Sequence, residues 1–97
     1  MMHTLKIRPQ FFDSVKNGIK TCEIRRNDRD FRVGDTLHLR EWKPGTWEKD
    51  GYTNRSCEAV ITHILTHDEL PEGIPDGFVA LSIRILNKAA IEVHTGA

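Results

Sequence analysis

The strongest constraint on the fold is a period-two alternation of apolar and polar residues that recurs along the chain. His3–Arg8 places Leu5 and Ile7 on one side and Thr4, Lys6 and Arg8 on the other. Successive side chains of an extended backbone point to opposite faces, so this pattern predicts a strand with one buried face. It returns in Thr36–Trp42, where Leu37 and Leu39 face in, and in Phe78–Leu86, with Val79, Leu81, Ile83 and Ile85 on the core side. Cys57–Leu65 is largely apolar at both parities, which predicts burial on two faces. Lys20–Arg26, broken off by Asn27-Asp28, is a further strand. A single segment has helical spacing: Phe11, Phe12 and Val15 form a stripe after Pro9, and Asn17-Gly18 ends it.

Turns separate these segments at Val33-Gly34-Asp35 and in two longer stretches, Lys43–Asn54 and His67–Gly77, that hold Pro and Gly. The resulting order is β-α-β-β-β-β. It predicts an α+β, mostly-β domain: a small, curled, largely antiparallel sheet or barrel of five to six strands, with one early helix covering an open end. At 97 residues the chain reads as a single domain, residues 1–97, with a core about 3–86. Such a chain buries roughly two thirds of its unfolded surface. Residues 87–97 read as a tail, or as an extra strand through Ile91 and Val93.

Fourteen basic and fourteen acidic residues balance, so a globally basic nucleic-acid binder is excluded and any anion site must be local. Such an imbalance exists. Lys20, Arg25, Arg26, Arg29 and Arg32 stand against Glu23, Asp28 and Asp30 within residues 20–32. Two cysteines make no disulfide scaffold, and Cys22 and Cys57 read as small apolar core residues. His63 and His67 are spaced as helical metal ligands are, but the segment reads as strand then loop, so no metal is expected, nor any cofactor. No apolar run approaches a membrane span, and a cytoplasmic protein without a membrane partner is expected.

Gly18-Ile19-Lys20-Thr21-Cys22-Glu23-Ile24-Arg25 resembles the G-x-K-x-x-E-x-R signature of the ASCH domain, in the PUA-like superfamily of RNA-associated β-barrels. The segments LKIRPQFFDSV, RRNDRDFRVGD and GFVALSI look like one small bacterial and phage branch of unknown function, so the likeness runs from residue 4 to about 86. The resemblance implies a PUA-like barrel with a cleft beside the signature, and binding of RNA, a nucleotide or a modified nucleobase. Some small ASCH proteins are amidohydrolases acting on N4-acetylcytidine. In those, the signature lysine lies three residues before a threonine nucleophile. Here Glu23 takes that position and Thr21 lies beside it.

The residues themselves allow definite roles. Lys20, desolvated in a cleft, would bind phosphate or act as a base near neutral pH. Glu23 and Arg25 share a strand face, either as a plain ion pair or with Glu23 on a base amino group and Arg25 on an oxyanion. Lys20 has the opposite parity and converges with Glu23 only if it precedes the regular strand or a bulge intervenes. Arg26, Arg29 and Arg32 are candidates for phosphate contacts, or pair with Asp28 and Asp30. Trp47, in a Lys/Gly/Asp loop, is a candidate for stacking on a base, whereas Trp42 reads as sheet-edge packing. RNA or a nucleotide is thus the expected partner. The alternatives are an amide hydrolase, with Lys20 as base, Thr21 or water as nucleophile and Glu23 or Glu58 as shuttle, and a protein-interaction module.

Overall fold

A computed structural model describes residues 1–45 and 51–86. Trp47 and the predicted tail lie outside the described residues. Five strands and one helix follow in the predicted order: β1 (Met2–Ile7), α1 (Pro9–Lys16), β2 (Cys22–Arg26), β3 (Thr36–Trp42), β4 (Tyr52–Thr66) and β5 (Phe78–Ile85). They form one sheet ordered β1-β3-β4-β5-β2, in which β1 and β3 are parallel and the other pairs antiparallel. The sheet curls into a half-barrel, so its terminal strands β1 and β2 line a common cleft.

Alternation builds the core as the sequence predicts. Leu5 and Ile7 of β1, Leu37 and Leu39 of β3, and Val79, Leu81 and Ile83 of β5 are all buried on the inner face. An eight-residue helix is marginal by itself in water. Here α1 is held by Phe12 and Val15, which enter the same core, while Phe11 stays exposed. Gly18 turns the chain out of the helix at φ +75°, a conformation that costs a residue with a Cβ.

Three expectations need correction. β4 begins at Tyr52, inside the stretch Lys43–Asn54 read as a turn, because pairing with β3 extends it. β4 is not buried on both faces: Cys57, Ala59 and Ile61 point in, while Glu58 and Val60 are half-buried and Thr62 and His63 exposed. The helix covers the inner face only, and a bulge between Ile61 and His63 shifts the register against β5, breaking the alternation there. Cys22 is exposed rather than in the core, because its parity on β2 is opposite to that of buried Glu23. Among the described residues no helix is long and apolar enough to cross a membrane.

Candidate functional site

The open seam of the half-barrel follows from strand directions. Reading across the sheet, β1 and β2 run antiparallel to each other, yet among the described residues the two are its opposite edges and do not pair. Backbone alternation then decides what faces the gap. Thr36 N–H bonds the Met1 carbonyl, so the odd-numbered residues of β1 address β3, and the N–H and C=O groups of Thr4 and Lys6 point into the seam. Ile83 N–H bonds the Thr21 carbonyl, so Glu23 and Arg25 address β5, and the backbone of Cys22 and Ile24 points into the seam from the other side. Two cations cap these free edges. Arg29 Nη1 donates to the Thr4 carbonyl at 2.8 Å, and Lys20 Nζ donates to the Cys22 carbonyl.

Between the edges lies a cleft of about 310 Å³, lined by Lys6, Ile7 and Arg8 of the first strand and its exit, Phe11 of the helix, and Lys20, Glu23, Ile24 and Arg25. Lys20 precedes β2, which frees it from strand parity and lets it reach Glu23 Oε1 at 2.7 Å. Arg25 lies two residues further on the same face, with Nε and Nη2 at 2.9 and 2.7 Å from Glu23 Oε2. The Glu23 side chain is only 6 % exposed, so a buried carboxylate sits clamped between two cations. Lys20 also lies over the Phe11 ring, 5.3 Å from its centroid.

The other predicted residues separate. Arg25, Arg26 and Arg29 line a second hollow with Asp28, while Arg32 pairs with Asp30 at 3.0 Å, both exposed. Thr21 is exposed and lies outside the cleft lining, its carbonyl held in the ladder to β5. Glu58 is 3.4 Å from His38 Nδ1 on the far face of the sheet. His63 is exposed and His67 Nδ1 is 2.6 Å from the Ile74 carbonyl. No group of three or more His, Cys, Asp or Glu among the described residues is placed to hold a metal ion. Burial pushes the Cys57 thiol up to about 11, so it is a packing residue and not a nucleophile at neutral pH.

Residue-by-residue reading missed Lys6 and Arg8, which seemed merely the polar side of β1 until the curl brought them opposite β2. It also missed two polar staples at the ends of β3. Asp35 accepts from the Met1 ammonium at 3.1 Å and the Arg32 N–H at 3.0 Å, with His3 Nε2 at 2.8 Å. His3, followed by the chain's amino group, holds the Asp35 carboxyl down at about 2. At the other end, Glu41 takes Arg55 Nε at 3.0 Å, Arg55 Nη2 at 2.9 Å and Thr53 Oγ1 at 2.6 Å; the Arg55 guanidinium lowers its pKa. Parity was the available signal. His3 alternates with Leu5, and Glu41 with Leu39, so both belong to the core face.

A 63-residue stretch, 65 % of the chain, is 40 % identical to a protein of Escherichia phage P2 named "Uncharacterized 12.9 kDa protein in GpA 3'region". The match spans about half of that relative's length, 53 %. A family model described as "Domain of unknown function (DUF3850)" matches residues 2–83, which takes in the whole cleft lining and all the strands but the last two residues of β5. The chain therefore belongs to the DUF3850 family.

Proposed function

We propose that the seam cleft binds a nucleotide or a short stretch of single-stranded RNA. The observation that carries this reading is the charge of the lining. Among the described residues of the lining, Lys6, Arg8, Lys20 and Arg25 stand against Glu23 alone, on a protein with no net charge. A local cationic cleft on a neutral chain favours an anionic ligand, and guanidinium groups suit phosphate. The remaining lining fits a base. Ile24 and Phe11 are exposed apolar surfaces, and the Lys6 and Ile24 backbones offer donors and acceptors from opposite walls. Likeness of Gly18–Arg25 to the ASCH signature points the same way, as part of a PUA-like domain.

Binding is favoured over hydrolysis because Glu23 is occupied by two cations and Thr21 lies outside the lining. Amide chemical-shift mapping with nucleosides and short RNAs tests the reading. Shifts centred on Lys6, Arg8 and Lys20–Arg25 that disappear in Lys20→Ala are expected, whereas shifts elsewhere, or none, refute it. Incubation with N4-acetylcytidine separates the two chemistries. Cytidine release that is lost in Lys20→Ala would make the protein an amide hydrolase.

A further inference from the structure

The seam holds two hollows that share a wall. The smaller, about 130 Å³, is lined by Leu5, Arg25, Arg26, Asp28, Arg29 and Phe31. Arg25 belongs to both. Because β1 and β2 are antiparallel across the seam, going from Arg8 to Leu5 along one wall is going from Lys20 to Arg26 along the other. The hollows are therefore consecutive stations on one track.

Their chemistry differs. Among the described residues three guanidinium groups line the smaller hollow; Arg25 already gives Nε and Nη2 to Glu23 and keeps Nη1, and the one carboxylate in the lining, Asp28, is 60 % exposed and 3.9 Å from Arg29 Nε. Exposure at that level leaves the carboxylate well solvated and a weak neutraliser. Arg29 spends one donor on the Thr4 carbonyl, and a guanidinium has five. Arg26 lies against the Phe78 ring, its Cζ 5.1 Å from the centroid, which fixes the side chain without using a hydrogen-bond donor. Guanidinium-bearing residues around a hollow less than half the size of its neighbour suit a phosphate and not a second nucleoside.

Resting on the reading of the main cleft as a nucleotide site, we infer that the smaller hollow is a phosphate subsite. The ligand is accordingly a phosphorylated nucleotide or strand whose base sits beside Phe11 and Ile24 and whose phosphate is held by Arg25, Arg26 and Arg29. A free nucleoside fills only the first station.

Isothermal titration with cytidine, its 3′- and 5′-monophosphates and the dinucleotide CpC tests this, with the adenosine series in parallel. Phosphorylated probes are expected to bind about tenfold tighter than the nucleoside or better, each such factor corresponding to one good charged contact. Arg26→Ala should shrink that ratio and lower the salt slope for CpC by roughly one. Arg29→Ala also removes the Thr4 contact, so Arg26→Ala, checked for native fold by its amide spectrum, carries the test alone. A monophosphate equal to CpC identifies a mononucleotide, and CpC tighter than either monophosphate identifies a strand; both support the subsite. Nucleoside and phosphorylated probes of equal affinity, or a ratio unchanged in Arg26→Ala, overturn the subsite while leaving the cleft reading intact. No binding by any probe overturns both.

Discussion

At Glu23 a carboxylate that is almost wholly buried takes a lysine on one oxygen and an arginine on the other. Removing it leaves two cations facing each other without a counter-charge. Glu23→Ala should cost about 1–3 kcal/mol of stability, the range for breaking a charged hydrogen-bonded contact, and the isosteric Glu23→Gln less. Urea unfolding checks this, and a change within about 0.5 kcal/mol for both would show the network to be unimportant. Asp35 supplies a prediction in pH. Its folded-state pKa, about 2, lies below the ordinary value. Its stabilising share is thus fully present above roughly pH 4 and lost as pH falls toward the folded-state value, because the unfolded chain takes up the proton first. A thermal-midpoint titration should show this acid loss in the native protein, and Asp35→Asn should flatten it. Whereas Lys20, Glu23 and Arg25 stand out in the sequence as a group, Asp35 does not, because its partners His3 and Met1 are more than thirty residues away.

Among the elements, α1 depends most on its contacts with the rest of the molecule. Phe12 is buried to 1 % exposure, with the Arg55 guanidinium 4.3 Å from its ring centroid, and Arg55 also reaches Asp13 on the helix. Phe12→Ala should cost about 3–5 kcal/mol in chemical denaturation, as for other buried aromatic truncations. A loss of under about 1 kcal/mol would mean that the helix is held elsewhere. The turn back into β4 is equally exacting. Gly51 sits at φ +80°, and a Cβ there would come within 2.5 Å of Trp42 Nε1. Gly51→Ala should therefore destabilise by about 1–3 kcal/mol through backbone strain and overpacking together. Strand identity was legible at this scale because alternation is local. The start of β4 was not, since Tyr52–Ser56 lacks an apolar rhythm and becomes strand only by pairing with β3 at Arg40 and Trp42. Nor was the bulge after Ile61, which exists only relative to the β5 register.

On the scale of the whole molecule, the seam is where the sheet of the described strands stops short of closing. Amides of Lys6 and Ile24, which point into it, should exchange with deuterium far faster than those of Leu39, in the ladder to β4, and Leu81, in the ladder to β2. Ligand in the cleft should slow Lys6 and Ile24 selectively; protection spread evenly over the sheet would place the ligand elsewhere. By itself the sequence determined the order of strands and helix, the core faces of β1, β3 and β5, and the clustering of Lys20, Glu23 and Arg25, because each depends on side-chain period or near neighbours along the chain. Only the tertiary structure decided that Lys6 and Arg8 join that cluster, that Lys20 escapes strand parity to meet Glu23, and that Arg26 and Arg29 line a second hollow. Those relations depend on how far the sheet curls and which two strands it leaves as edges, and pairing across the whole chain sets both.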